Sequence, residues 1–249
     1  REEQRAACAL LKVMHVFNHL EARRLVHHIS VSERSLFVAA ASKVDEVVQD
    51  MISEGLPILT YEPSTKTEHS LVTKLISKPR VTAAQIFDKL RFRLVVEDKS
   101  GLVDVVLWLL RHLFPFNHVI AGESHNTILD EEELAATLQR RLSSVGPWWA
   151  QTEPNHHPFN PATSPSFRMV NFVVDLPVRI SRVSPELESP RRPELGHLVH
   201  VALEFQLFDT ETERVNSAGD GNHANYKRRQ LQMVSRRLWG PDHPTLLDT

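Results

Sequence analysis

His197-Leu-Val-His-Val-Ala-Leu-Glu-Phe-Gln-Leu-Phe208 decides the fold. It alternates with a period of two, so Val199, Val201, Leu203, Phe205 and Leu207 line one face of a strand, and His200, Ala202, Glu204 and Gln206 line the other. A carboxylate in mid-strand between Leu203 and Phe205 is costly unless it is exposed, paired or bound to a metal. Glu204 is therefore the first candidate functional residue.

Other strand-like segments lie on both sides of this one. Leu90-Arg-Phe-Arg-Leu-Val-Val-Glu97 is rich in β-forming residues, with Asp88 at its entrance, and Phe167 to Ile180 reads as one long strand or two broken at Asp175 to Pro177. Residues 57–61 form a short strand candidate followed by a polar turn from Glu62 to Lys66, and His118 to Ala121 form another short strand. Helical periodicity separates them. Leu10, Val13, Met14, Phe17 and Leu20, then Val38, Val44, Val47, Val48 and Met51, predict two amphipathic helices within residues 1–56. Further helices are expected at His69–Ile76, Gly101–Phe114, Asp130–Leu142 and Asn222–Leu238. In the first of these, Leu71, Val72, Leu75 and Ile76 are expected to face inward, with Ser70, Lys74 and Lys78 on the polar face. The fold class is α+β, a mixed sheet of about five strands flanked by helices. An N-terminal helical segment (1–56) precedes the main domain (57–240), which carries a Pro-rich insertion at 145–166.

With 249 residues, 41% hydrophobic and 24% charged, the chain can bury a sizeable core, which excludes disordered and collagen-like classes. The formal net charge of −2 provides no global field for nucleic acid or anionic membrane, so an anion site must be a local patch. The most apolar stretch, Val103 to Phe116, is interrupted by Asp104, Arg111 and His112 and is shorter than the ~20 residues a span needs, so no membrane partner is expected. The single cysteine, Cys8, reads as a buried inert thiol on the first helix and suits a reducing, cytoplasmic setting. Among the 14 histidines, neither His27-His28, nor His156-His157, nor His118 with His125 has ligand spacing with a second motif, so no histidine metal site is expected.

Four separated segments follow one ordered pattern: Lys66-x-x-x-Ser70 with Lys74; Asp88-Lys-Leu-Arg-Phe-Arg93; Glu204-Phe-Gln206; and Gly219-x-x-x-His223-x-x-Tyr226-Lys227. In that order they resemble the synthetase domain of the RelA/SpoT alarmone synthetases, over roughly residues 60–230. The resemblance implies a nucleotidyltransferase-like fold and transfer of pyrophosphate from ATP to the 3′-hydroxyl of GDP or GTP. It implies Mg²⁺ on Asp88 and Glu204, with Glu204 also helping to activate the attacking hydroxyl. Lys66, Lys74 and Arg93 then face phosphates, while Ser70, Gln206, His223, Tyr226 and Lys227 support the pocket. Ser166-Phe-Arg-Met-Val-Asn171 is a weak counterpart of the family's stacking segment, in which the resemblance gives Phe167 the face for a base. The residue types agree with that chemistry, since phosphoryl-type transfer calls for a hard cation, carboxylates to hold it and cationic side chains to clamp phosphates.

The chain also departs from the family pattern. Ser64 stands where an arginine precedes Lys66, Phe208 or Asp209 where one follows Gln206, and Asn171 where the stacking segment has a histidine. The basic stretch before that segment is replaced by Asn160, Thr163 and Ser164. These departures favour an alternative, a catalytically impaired relative that senses nucleotide or binds protein. A third reading directs the transfer to RNA ends through the basic terminal helix, with Lys227, Arg228, Arg229, Arg236 and Arg237.

Overall fold

The alternating stretch forms the longest strand, Leu198–Asp209, and it has a strand on either side of it. In the computed structural model, which describes residues 2–78, 86–120, 122–130, 132, 134, 136, 137, 162–184, 196–219 and 222–240, the chain opens with α1 (Glu2–His28) and α2 (Glu33–Ser53). Next come β1 (Ile58–Thr65), α3 (Glu68–Ser77), β2 (Leu90–Val96), α4 (Lys99–His112), a 3-10 turn (Phe116–His118) and β3 (His125–Asn126). The chain continues with β4 (Val170–Arg179), α5 (Ile180–Val183), β5 (Leu198–Asp209), α6 (Thr210–Ala218) and α7 (His223–Trp239). The sheet order is β1-β2-β5-β4-β3; β2 and β5 are parallel and the remaining pairs antiparallel, so the fold is α+β with a five-stranded mixed sheet.

Register sorts the side chains. Leu90, Phe92 and Leu94 pair with Leu203, Phe205 and Leu207, and Phe172 and Val174 pair with Phe205 and Leu203 from the other side. This face is covered by Val44, Val48 and Met51 of α2 and by Leu102, Val105 and Leu109 of α4, all in one buried cluster. Phe92, Phe114, Phe172 and Phe205 meet at its centre with ring centroids 5.3–5.9 Å apart. Each fully buried side chain of this size contributes roughly 1.5–3 kcal/mol. Ser32, Asp98 and Asp209 cap α2, α4 and α6, accepting from the amides of Ser35, Gly101 and Thr212.

Several sequence expectations need correction. β1 runs through the expected turn, because Glu62, Pro63 and Ser64 pair with Arg93, Phe92 and Arg91; Pro63 is tolerated because β1 is an edge strand. Residues 118–120 contribute only an isolated bridge, Val119 to Val174. Of the two readings of 167–180, the single strand is the one found: β4 runs unbroken through Asp175 and Pro177, with Lys43 donating to the Pro177 carbonyl at 2.9 Å. α6 was not expected from the sequence because it has no apolar repeat; its buried residue is Asn216, which hydrogen-bonds the backbone of Arg168 at both ends of its amide. On α3, Thr73 and Ser77 are the buried residues and Val72 is exposed, while Leu71, Leu75 and Ile76 are half-buried like Ser70 and Lys74. On α1, Leu10, Val13, Met14, Phe17 and Leu20 face outward, Ala22 and Leu25 are the buried residues, and Cys8 is exposed rather than buried. The helix expected at 130–142 and the Pro-rich insertion lie largely outside the described residues. No helix among the described residues is long and apolar enough to cross a membrane.

Gly101 is the tightest point between α4 and the sheet. A Cβ there would stand 2.8 Å from Pro57 Cγ and 3.3 Å from Val96 Cβ, and a proline ring has little room to yield. Alanine favours helix by about 1 kcal/mol over glycine, yet Gly101→Ala is expected to destabilise the fold by about 1–2 kcal/mol. Urea unfolding of the two proteins checks this.

Candidate functional site

The second face of the sheet is polar. By register, Ser64 lies beside Arg91, Arg91 beside Glu204, and Arg93 beside both Glu62 and Gln206, while Asn171 pairs with Gln206. Glu204 is 7% exposed and its neutralisation is local. Asn171 Nδ2 donates to Oε1 at 2.9 Å, and Arg91 Nε stands 3.5 Å from Oε2. Arg91 Nη1 also donates to Gln206 Oε1 at 3.4 Å.

Asp88 sits in the turn before β2, and the antiparallel β1–β2 register brings Lys66 next to it, with the Lys66 amide donating to the Lys89 carbonyl at 2.8 Å. The Lys66 ammonium donates to Asp88 Oδ2, and Lys74 Nζ, reaching down from α3, donates to Oδ1 at 2.7 Å. Burial alone would raise the Asp88 pKa, but the two lysines outweigh it and hold the carboxyl well below the usual range. Burial pushes Lys66 down to about 8, with Lys74 and Arg91 adding to the shift and Asp88 opposing it. Lys74 is half-buried because it turns toward Asp88. Thr73 and Ser77 satisfy their hydroxyls on helix carbonyls, Thr73 to His69 at 2.8 Å and Ser77 to Lys74 at 3.0 Å.

α7 closes the cluster. Lys227 Nζ lies 3.3 Å from Ser70 Oγ, and the His223 and Tyr226 rings stack at 6.3 Å. Burial, then Lys227 and Arg91, lower the pKa of His223. Four cations, Lys66, Lys74, Arg91 and Lys227, thus gather around two carboxylates. The cluster carries a local positive surplus on a chain whose net charge is −2.

Lys66, Ser70, Lys74, Asp88, Glu204, Gln206, His223, Tyr226 and Lys227 therefore lie on one connected surface. Arg93 stands apart from them: it is paired with Glu213 of α6, lies 3.8 Å from Glu62 and sits 4.8 Å over the Phe208 ring. Phe167 meets Phe208 edge-on at 6.1 Å, so it borders this aromatic corner rather than the lysines. Arg91 is the cation that sequence reasoning passed over. The signal was present, since Arg91 and Arg93 share a strand face, but only the pairing register shows which of them meets Glu204. In the basic run of α7, Arg229 and Arg237 hold structure, donating to the Ala162 carbonyl at 2.8 Å and to the Ile76 carbonyl at 2.6 Å.

A second cluster was not anticipated. His15, His19, His118 and His200 gather around Asp175 at the other end of the same sheet face. The pairs singled out in the sequence do not form it: His27 and His28 are exposed at the end of α1, His156-His157 lie outside the described residues, and His118 joins His15 and His200. Burial pushes His200 down to about 4 and is also the main cause of a lowered His15, so both are neutral imidazoles at pH 7.

Asp88→Asn removes the charge that separates Lys66 from Lys74. Because its folded pKa is depressed, Asp88 contributes stability that is present above the unfolded value near ~4 and is lost as pH falls through the acid range. The variant is expected to be less stable by about 2 kcal/mol at pH 7, with the difference shrinking below pH ~4. Denaturant melts at both pH values measure it.

No protein-family model matches the sequence, and no curated protein matches it either. Among solved structures, the small alarmone synthetase 2 from Bacillus subtilis is similar, at a TM-score of 0.45 and 14% identity over 78% of this chain and 77% of that one. The small alarmone synthetase 1 from the same organism, bound to its product pppGpp, is similar at 0.43 and 13% over 88% and 86%. A GTP pyrophosphokinase family protein from Streptococcus pneumoniae follows at 0.37 and 12% over 78% and 83%. At these values the neighbours assign no residue role and no activity to the chain, whose site is read from its own side chains.

Proposed function

We propose that this chain is a divergent nucleotide pyrophosphotransferase of the alarmone-synthetase type, with its catalytic unit in residues 57–240. The observation that carries the reading is the surplus of cations around Asp88 and Glu204 on the polar face of the sheet. Such a cluster suits a polyphosphate, whose charge exceeds what the two carboxylates already neutralise. In the reaction the 3′-hydroxyl oxygen of a GDP or GTP acceptor attacks the β-phosphorus of ATP. The bond from that phosphorus to the α,β-bridging oxygen breaks, AMP leaves, and the hydroxyl proton passes to a base.

Glu204 is assigned as that base. It is buried, oriented by Asn171, and lies on the same strand face as Gln206. Arg91, Lys66, Lys74 and Lys227 are assigned to the phosphates, with Ser70 and Gln206 positioning them and His223 and Tyr226 lining the α7 side. Arg93 and Phe167 are assigned to the aromatic corner, against the base of a nucleotide. Asp88 and Glu204 are the hard carboxylates that would hold Mg²⁺ alongside substrate phosphates, each giving up an oxygen now engaged by Lys66, Lys74, Asn171 or Arg91. When bound it supplies neutralisation of phosphate charge. Nucleotide substrates of this kind suit a cytoplasmic location.

A second reading is favoured by one observation: each carboxylate is already held by cations, Asp88 by two lysines and Glu204 by Arg91. On that reading the chain binds nucleotide without transferring pyrophosphate.

The two readings separate in one assay. With Mg²⁺ and γ-labelled ATP, wild type is expected to move label to GDP or GTP, and Glu204→Gln to lose at least ~100-fold of that rate while still binding nucleotide. Lys74→Ala is expected to weaken ATP binding by roughly 10-fold or more. Binding without label transfer in wild type selects the second reading, and transfer to RNA alone moves the acceptor assignment to RNA ends.

A further inference from the structure

The histidine cluster is built from four distant parts of the chain. His15 and His19 stand one turn apart on α1, His118 ends the 3-10 turn, Asp175 lies on β4, and His200 lies on β5 opposite Pro177. One ligand nitrogen from each of His15, His118 and His200 falls within 4.8 Å of the others, and so do ligand atoms of His15, His19 and Asp175. Ring centroids are 4.3 Å apart for His15 and His118, 5.5 Å for His15 and His200, and 6.0 Å for His118 and His200.

The hydrogen bonds leave the right atoms open. His118 Nδ1 lies 3.0 Å from the Asp175 carbonyl, an acceptor only, so that nitrogen carries the proton and Nε2 keeps its lone pair. His19 Nδ1 lies 2.7 Å from Asp175 Oδ2 and fixes the carboxylate, whose Oδ2 is 3.8 Å from His15 Nε2. His200 has both ring nitrogens buried without a hydrogen-bond partner among the described residues, and so is His15 Nδ1. Imidazoles placed for packing alone gain nothing from leaving buried nitrogens unpaired, whereas neutral imidazoles converging on a carboxylate form a transition-metal donor set. Three nitrogens with one oxygen match Zn²⁺ rather than Mg²⁺ or Ca²⁺, which prefer all-oxygen shells.

We propose that His15, His118, His200 and Asp175 bind one Zn²⁺, with His19 holding Asp175 from outside the coordination shell. Zn–N bonds of ~2.0–2.1 Å set tetrahedral ligand atoms about 3.3 Å apart, so the three imidazole nitrogens, now within 4.8 Å of one another, close by up to ~1.5 Å, and the Asp175 carboxylate, which groups with His15 and His19, swings toward His118 and His200. The ion joins α1 to β4 and β5. α1 needs such a joint, because Leu10, Val13, Met14, Phe17 and Leu20 face away from the sheet and its buried apolar residues are Ala22 and Leu25. His200 stands four residues from Glu204, about 14 Å along β5 at ~3.4 Å per residue, and Asp175 pairs with Ala202 between them.

The test uses the full chain without a histidine tag. Zn²⁺ titration with elemental analysis is expected to give one tightly held equivalent, and Co²⁺ in its place the intense visible bands of a tetrahedral site. Hydrogen exchange across α1 is expected to slow with Zn²⁺ and not with Mg²⁺. His200→Gln and His118→Gln are each expected to weaken Zn²⁺ binding at least ~100-fold, His19→Gln by ~10–100-fold, and the paired variant His27→Gln with His28→Gln to leave it unchanged. Folded wild type that takes up no Zn²⁺, an octahedral Co²⁺ spectrum, or undiminished binding in folded His200→Gln overturns the proposal. The wild-type titration and spectrum decide the matter even where a variant fails to fold.

Discussion

Strand β5 runs between β2 and β4, so the carboxylate at position 204 has backbone on either side and must be neutralised by side chains from those neighbours. Arg91 and Asn171 do this, one from each side. An unpaired charge at this depth would cost several kcal/mol. The arrangement holds only in the observed register. A one-residue slip of β2 against β5 would turn Arg91 into the apolar layer and bring Phe92 to the charged face. The aromatic centre of the core and the ion pair on the opposite face thus enforce the same alignment.

The lysine–aspartate group obeys the same logic at the sheet edge. β1 is exposed and polar, so it gains little from burial, and it is held by its ladder to β2 and by the meeting of Lys66 and Lys74 at Asp88. Two ammonium groups that would repel each other are kept together by one carboxylate.

Period-two and period-3.6 patterns made the strands at 90–96, 170–179 and 198–209 and most of the described helices legible in the sequence, because those elements bury a full apolar face. Where burial is partial, the pattern misleads. The apolar stripe of α1 points to solvent, α3 buries Thr73 and Ser77 while Leu71, Leu75 and Ile76 stay half-buried, and α6 is held by the amide of Asn216 rather than by apolar contacts. The candidate site was legible as residue types in order, but which arginine meets Glu204 depends on strand register. The histidine cluster left one trace in local spacing, His15 and His19 a helical turn apart; its other members come from the 3-10 turn, β4 and β5, which only the fold brings together.

α1 joins that cluster to the exterior of the molecule, and it carries the chain's only thiol. Cys8 stands exposed about two turns before His15. A maleimide dye or nitroxide attached there would ride on the helix at a single known position, with no competing cysteine to remove. This chain therefore already contains a reporter for whether α1 stays seated on the sheet, readable by anisotropy or spin-label mobility without any substitution.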